Sequence, residues 1–527
     1  PYAPTLSAWF DPARVLMVTA QRDADLFWAM EEGLRCPGIA VVLGDDIRGL
    51  MPRLREEGTL DMFTGDPLPE QVLSANAYLG AFPVAQALSQ GADIVITGRG
   101  VDSAVTLGVL IHEFGWSASA FDELAGGSLA GHIVECGCQA TGGLFTDWER
   151  VPDWPNIGYP IIECAADGSF ELFKAPGTGG LIDRACVMEQ MLYEIGDPGA
   201  YLLPDVTCDF RHVSVEQVAP DRVAVRGALG RAPTASYKVS ATQLDGFRCA
   251  GMMVIVGRDA ARKARRTGEA IVARTRAILR GAGLPDYTRV QIELLGCEAL
   301  YGAHARAQDA REVMVRVVTD HPQKKALEIF AREIAPSGTS WSPGTTMPAG
   351  GRPGVAPLIK PFAFLVDKAR LSVDVAMDAE RFPVEIAAAG PAQAAPEAAP
   401  VPPWQPPPGE AMVTVPLIAL AWGRSGDKGD IANIGVIARR PEWLPLIWAQ
   451  LTPEAVRAHF AHMVTGKVER HHLPGCHAIN LMLHGALAGG GPSSARFDPL
   501  GKGNAQILLD FPIQVPSRLA NELQPYR

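Results

Sequence analysis

No stretch of the 527-residue chain is apolar and uncharged over the roughly 18 residues that a membrane helix needs, and the longest apolar runs, such as Val413 to Trp422, are strand-sized. A membrane span is therefore not expected. Basic charge is in deficit, with 47 Lys and Arg against 58 Asp and Glu and a formal charge of -11, so broad nucleic-acid binding, which needs a net basic face, is not expected. The nine cysteines are scattered singly except for Cys136 and Cys138, with no C-x-x-C and no secretory apolar region at the start, which fits a reducing cytoplasm. The chain opens on Pro1 without an initiator methionine, which leaves open an upstream segment such as a removed targeting peptide. Also missing are G-x-S-x-G, a Walker A sequence, H-E-x-x-H and a complete G-x-G-x-x-G. Serine-hydrolase, P-loop, zincin and dinucleotide readings lose their usual support.

What remains is an ordinary globular composition, 47% apolar and 20% charged, long enough for two to four domains at roughly 100 to 200 residues each. The clearest boundary is the Pro- and Ala-rich segment 387–409, which reads as an extended spacer between a main domain, 1–386, and a small domain, 410–527. In the main domain, short β-branched runs at Val15 to Thr19, Ile39 to Leu43 and Asp93 to Thr97 alternate with helical periodicity and predict a largely parallel sheet. From Gly158 to Gly257, turn chemistry at Asp167-Gly168 and alternation around Asp221 predict antiparallel strands. A helix over Arg258 to Arg280, strands at Val290 to Leu295 and VMVRVVTD, and the helix KKALEIFAREI follow. The fold class is thus mixed α/β with an α+β portion. In the small domain, the pattern predicts strand PLIALAWG, a turn through RSGDKGD and strand NIGVIAR. A helix capped by Thr452 and a strand Lys467 to Leu473 come next, then a helix HAINLMLHGAL and a strand QILLDFPIQV, a β-β-α-β-α-β order of ferredoxin-like type.

Ligands of open α/β sheets bind beyond the carboxyl ends of strands, which directs attention to Gln21, Arg22, Asp45, Asp46, Thr97, Arg99, Asp102 and Ser103. In ITGRGVDSAVTLG, Gly98 and Gly100 let backbone amides approach an anion, Arg99 supplies a fork and Asp102 or Ser103 caps the next helix; a tight turn with an ordinary cap explains the pattern equally well. Asn76 in SANAYLGA is placed to orient a substrate or to cap a helix. The runs Thr141, Gly142, Gly143 and Thr178, Gly179, Gly180 can offer consecutive amides as anion nests or serve as turns. Pro336 to Val355, small-residue-rich with Arg352 as its one charge, reads as a ligand-wrapping loop. RDAARKARRTGEAIVARTRAILR sets eight basic side chains against two acidic ones, suited to the phosphates of a nucleotide-like tail or to a solvated face. RSGDKGDIAN is the densest cluster: Arg424, Asp427, Lys428, Asp430 and Asn433 would sit within a few ångströms in a tight loop, where pKa values shift. Five of the eleven histidines lie between His459 and His477 without a zinc-ligand pattern, and no metal is assigned.

These segments carry a resemblance. LSANAYLGAFPVAQALSQGADIVITGRGVDSAV, AGHIVECGCQATGGLFTDW, KAPGTGGL, LAWGRSGDKGDIANIGVIAR and SSARFDPLGKGNAQILL are similar to the acyclic terpene utilisation (AtuA) family over most of Val41 to Pro516. The resemblance implies an α/β main domain followed by a ferredoxin-fold domain, and a place beside the enzymes that degrade branched terpenoid acids. Two departures qualify it: PYAPTLSAWF and VTAQRDADLF stand where the family has Gly-rich segments, so residues before about Asp45 inherit no role, and His471 and His472 replace commoner Tyr and Glu, which weakens a shared zinc site.

The expected function is a cytoplasmic catabolic enzyme, lyase- or hydratase-like, acting on a branched acyl-CoA or carboxylate next to the thioester carbonyl. Coenzyme A enters as part of the substrate, with no certain cofactor. Asp427 or Asp430 would be the base, Lys428 and Arg424 would hold it or stabilise an enolate, and amides near Gly98 to Gly100 or Gly177 to Gly180 would meet the anionic group. The alternative is a non-catalytic accessory subunit that docks on an acyl-CoA carboxylase or dehydrogenase through the small domain, and a weaker third is a metal-dependent hydrolase. A homo-oligomer is expected. If RSGDKGD faces the main domain, catalysis is favoured; if it lies on an outer surface, docking is.

Overall fold

The computed structural model describes residues 16–17, 38–347, 351–386 and 397–523. Gln21 and Arg22 lie outside these residues, as does most of the strand expected at Val15 to Thr19. Leu16–Met17, Ile94–Thr97 and Ile39–Leu43 pair in parallel as expected, and Asp374–Met377 and Glu380–Pro383 extend this sheet in antiparallel fashion. The middle of the chain forms antiparallel hairpins, Pro160–Cys164 with Phe170–Lys174 and Ser214–Ala219 with Arg222–Arg226. Asp221 turns the second of these at a φ of 52°.

One element was not anticipated: a 21-residue strand, Ser236–Val256, that serves two sheet regions at once. Its first half pairs with Val355–Asp367 and Ser74–Ala77, and its second half with Glu312–His321. Gly246 and Gly251 interrupt its alternation, which hides so long a strand from a period-two reading. Helices Ala260–Gly281 and Lys324–Ser340 cover one face of the second half. The segment from Pro336 is not all loop, since its first five residues finish helix Lys324–Ser340 and Thr345–Thr346 adds to the long strand; 348–350 are outside the described residues.

In the small domain, Ala421–Lys428, Ile431–Ala438, Ala478–His484 and Val468–Leu473 form a four-stranded antiparallel sheet in that order, and Met412–Pro416 pairs with Pro512–Pro516. Thr452 caps helix Pro453–His459 as read, its hydroxyl accepting from the Ala455 amide at 3.2 Å. Four expectations need correction. PLIALAWG is strand only from Ala421, since Pro416 ends the strand Met412–Pro416 and Leu417–Ala419 form a short 3-10 turn between the two. RSGDK is strand, with the reversal confined to Gly429 and Asp430. HAINLMLHGAL holds the strand Ala478–His484 in place of a helix: six of its seven residues are buried, and a run buried on both faces gives no period to tell the two apart. QILLDFPIQV splits into the end of helix Asn504–Leu509 and strand Pro512–Pro516. Val401 and Trp404 of the Pro-rich segment pack on the small domain's core, so its described part is held against that domain.

The two domains share a core. Ile437, Leu473, Cys476 and Ala478 of the small domain are buried with Leu192, Ile195 and Val213 of the main domain. Polar clamps fix the register of this contact. The Arg424 guanidinium donates to Glu189 Oε2 at 3.1 and 3.3 Å, to Gln139 Oε1 at 2.8 Å and to the Gly143 carbonyl at 3.0 Å. Arg439 donates in a fork to Asp147 at 2.6 and 2.7 Å, with the Trp422 indole on the same carboxylate at 2.7 Å. Asn433 donates to the Leu192 carbonyl at 2.7 Å and accepts from the Glu194 amide at 2.9 Å, while Asn480 donates to the Ile195 and Gly196 carbonyls.

Glu189 is fully buried, and burial pushes its carboxyl up to about 7 despite the opposing Arg424 charge. Arg424→Ala should therefore cost about 3–5 kcal/mol in a urea-unfolding titration at pH 8, because it leaves a buried carboxylate unpaired. The double change Arg424→Met with Glu189→Leu should recover most of that loss. A loss below about 0.5 kcal/mol for the single change would mean that the pair does not hold the domains together.

Candidate functional site

The loop after Ile94–Thr97 approaches Asp45 so closely that a Cβ at Gly98 would lie 2.3 Å from a carboxylate oxygen, which only glycine avoids. Asp45 in turn accepts from the Arg99 amide and from the Asn76 side chain, both at 2.8 Å, so Asn76 acts within the turn. Asp46 pairs with Arg48 at 2.6 Å. These two carboxylates thus serve separate partners. Among the described residues no group of three or more His, Cys, Asp and Glu side chains gathers as a metal site would require. The late histidines go to separate carbonyls: His459 to Ile507, His462 to Leu300 and His472 to Ala399.

The two Gly-rich loops pack on each other instead of opening outward. Thr141 donates its hydroxyl to the Gly158 carbonyl and takes the Leu181 amide on its own carbonyl; the amides of Gly143, Gly179 and Gly180 go to Cys138, Asn156 and Pro152. The Thr178 hydroxyl bonds Ala175 and its carbonyl accepts from Lys174, and Gly142 sits at a φ of 97° ending a short turn. These loops are built as turns, and the amides of Gly143, Gly179 and Gly180 are consumed. Arg424 and Asn433 belong to the domain clamp. Asp430 caps the 486–489 segment, accepting from the Leu487 and Gly489 amides at 2.9 and 3.0 Å. Thr97 stays in its strand, with register partner Val42.

Asp427, Lys428 and Asp102 do come together, at the seam between the domains. The strand Ala421–Lys428 runs so near the main domain that a Cβ on Gly426 would lie 2.5 Å from Glu194 and 2.8 Å from Tyr193, so this glycine is spent on close approach. Glu194 accepts from Lys428 Nζ at 3.1 Å and from Lys502 Nζ at 3.2 Å, and Lys502 also reaches Asp427 at 3.2 Å and the Tyr193 hydroxyl. Glu194 holds a left-handed φ of 58°, a conformation that costs a non-glycine residue of order 1 kcal/mol and is kept where surroundings dictate it. Lys428 and Lys502 leave 39% and 38% of their side chains exposed, so a solute can reach the cluster.

A second tier of the seam was not seen in the sequence. Helix Phe121–Val134, buried on all sides, delivers His132 and then Glu135, whose carboxyl feels the charge of Asp102 at the start of helix Ala104–Phe114. His132 Nδ1 lies 3.6 Å from Glu135, with its Nε2 buried and without a partner. Burial, then the Asp102 charge, raise the Glu135 carboxyl to about 8, so it holds a proton at neutral pH. Burial lowers His132 to about 4, leaving it neutral, and raises the Cys136 thiol to about 11, far from a reactive thiolate. Burial opposes the charge of Lys428, yet Tyr201, Glu194 and Asp102 outweigh it and hold the ammonium charged. Glu194 is drawn below the usual carboxylate range by Lys428, Tyr193 and Lys502 against its burial, whereas burial keeps Asp427 above it. Lys238 is lowered by burial and by Lys428, and lies over the rings of Phe63 and Tyr78, with Arg99 on the same Tyr78.

The available signals were polar residues inside apolar helical runs: His132 and Glu135 closing GGSLAGHIVE, and Glu189 with Gln190 in CVMEQML. Glu135 also carries a pH signature. A carboxyl raised from 4.5 to about 8 gives stability that is complete below the unfolded value and lost as pH rises through the folded one. Glu135→Gln should therefore flatten the decline in unfolding free energy between about pH 5 and 9. Parallel curves for the two proteins would show that Glu135 ionises normally.

Two comparisons found no counterpart, since no curated protein and no solved structure matches the chain. The third was positive: the model of the acyclic terpene utilisation family protein AtuA matches residues 21–377, and that of the AtuA ferredoxin-like domain matches 415–514. The seam site joins residues of both matched regions, and the chain belongs to the AtuA family, with an AtuA ferredoxin-like domain at its C-terminal end.

Proposed function

We propose that the seam is the active site of a catabolic enzyme that acts on a branched, terpenoid-type acyl-CoA or carboxylate, adding or removing water or cleaving a bond beside the carbonyl. The observation that carries this reading is the meeting of carboxyl groups in opposite protonation states beside charged lysines: Glu135 protonated, Glu194 ionised, Lys428 and Lys502 between the domains. Such divergence divides acid and base roles. Ionised Glu194 or Asp427 takes a proton from the carbon next to the carbonyl, Lys428 stabilises the oxygen charge that develops, and protonated Glu135 gives its proton to the leaving oxygen; in the reverse direction Glu135 takes that proton back from the incoming water. Arg424 supports this from a distance by holding the strand that carries Asp427 and Lys428. Leu60, Met62 and Phe63, all half-exposed, and Phe63 near the Gly429 turn and Lys238, supply apolar surface suited to a hydrocarbon chain.

Arg424 and Lys428 of RSGDKGD reach Glu189 and Glu194 of the main domain, while Asp427 and Asp430 bond within the small domain, and the two cations turned to the seam support catalysis over docking. The family name, acyclic terpene utilisation, is consistent with a catabolic role. Among the described residues no helix is long and apolar enough to cross a membrane.

The test is exchange of solvent deuterium into short branched acyl-CoAs and their free acids, followed by mass spectrometry. Lys428→Met should lower the exchange rate about 100-fold or more, and Asp427→Asn or Glu194→Gln by a comparable factor for whichever is the base. Activity should fall on the alkaline side as Glu135 loses its proton near pH 8, and Glu135→Gln should remove that limb. Folded Lys428→Met protein with unchanged exchange would remove the seam from the chemistry.

A further inference from the structure

Away from the seam, a groove of about 880 Å3 runs between helix Ala260–Gly281, strand Arg289–Leu295 and the small domain. Arg262, Arg265 and Arg266 form one wall, and His462 and Arg496 of the small domain face them. A second groove, about 760 Å3, shares Arg262 and Arg266 and adds Lys263 and Trp341. The carboxylates of the first groove are largely engaged: Glu293 accepts from Arg316 and the Phe497 amide, and Glu298 from the Arg306 amide, leaving Glu269.

The cations are not engaged in the same way. Farther along the helix, Arg274 pairs with Glu333 at 2.5 Å and Arg276 with Asp286 at 2.9 Å. On the groove side, among the described residues, Arg262 has only an exposed contact with Asp259, and Arg265 only a 3.4 Å bond to the Ile292 carbonyl. Lys263 and Arg266 have no hydrogen-bond or ion-pair partner among the described residues. Arg262 repels Arg265 and Arg266 across i,i+3 and i,i+4 spacing. In a chain with a formal charge of -11, cations gathered around a groove with so few carboxylate partners make that groove complementary to an anion from outside the chain.

We propose that this groove binds a nucleoside phosphate. Guanidinium forks match phosphate oxygens bidentately, and the volume suits a molecule far larger than inorganic phosphate. The Trp341 indole, one-third exposed in the adjoining groove, offers a face on which a base can stack. Arg496 ties this groove to the hairpin of the seam: it donates to the Ala486 carbonyl, and the next residue, Leu487, gives its amide to Asp430, two positions after Lys428. The nucleoside phosphate thus has two sources, a free nucleotide or the nucleotide end of a coenzyme A thioester whose acyl group sits at the seam. Only the second source rests on the function proposed above.

Calorimetric titration of the full chain with ADP, adenosine 3′,5′-bisphosphate, coenzyme A and adenosine, at about 50 and 200 mM salt, decides the matter. The phosphate-bearing ligands should bind, more weakly at the higher salt, and adenosine should not. Replacing Arg265 and Arg266 by Gln should weaken binding about tenfold or more, while Arg276→Gln with Arg280→Gln, about 20 Å along the same helix, should leave it unchanged. Absence of binding by every phosphate ligand, or equal weakening by both pairs, would overturn the proposal. Tighter binding of coenzyme A than of the bisphosphate, with a raised thioester KM and constant kcat in the Arg265/Arg266 variant, assigns the substrate's own nucleotide. Equal binding of ADP and coenzyme A, with turnover untouched, assigns a free nucleotide. Nucleotide binding in a protein that exchanges no thioester would sink the seam reading and leave the groove standing.

Discussion

The buried pair of Arg424 and Glu189 governs the rest of this molecule. Two charges taken from water recover their desolvation cost only with good geometry and further hydrogen bonds, and here Gln139, Gly143 and the Thr146 amide complete them. An interaction so demanding of geometry fixes how strand Ala421–Lys428 lies on helix Arg184–Leu192. Side chains three and four positions farther along that strand and just past that helix are thereby brought face to face. Asp427 and Lys428 come from one side, Tyr193 and Glu194 from the other.

Electrostatics at the seam follow from this placement. A lysine buried alone would lose its proton, and a carboxyl buried alone would gain one. Lys428 escapes the first outcome because Glu194 lies at 3.1 Å, and Glu135 accepts the second because burial and the Asp102 charge outweigh the opposing charge of Lys428. The same stretch of protein therefore keeps an ammonium, an ionised carboxylate and a protonated carboxyl together near neutral pH. Of these states only the protonated Glu135 depends on burial, since Lys428 and Glu194 would keep their charges in water.

Local structure was legible where it is set locally. The parallel strands of the N-terminal half, the hairpins at Asp167-Gly168 and Asp221 and the Thr452 cap all rest on neighbours in sequence. The strand Ala478–His484 was not, because burial on both faces erases the two-residue period. The site was half legible. RSGDKGD stood out through its charge density, yet its members part company in the fold: Arg424 holds the clamp, Asp430 caps a loop, and Asp427 with Lys428 reach the seam. Glu135, Glu194 and Lys502 were missed because each is an isolated polar residue until packing across 75 to more than 300 positions assembles them.

Gly426 shows how a sequence pattern can point to the right place for the wrong reason. In isolation a glycine between charged residues suggests a tight turn, but here the turn falls later, at Gly429, and Gly426 lies within a strand. Its missing side chain leaves room for the Glu194 and Tyr193 side chains against the strand, where Glu194 and Lys428 meet. A ligand that touched both sides of the seam would stabilise the docked arrangement by mass action, in proportion to the logarithm of its concentration over its dissociation constant. Domain docking and ligand binding are then one equilibrium, and the stability of the small domain's contact becomes a direct reporter of occupancy at the site.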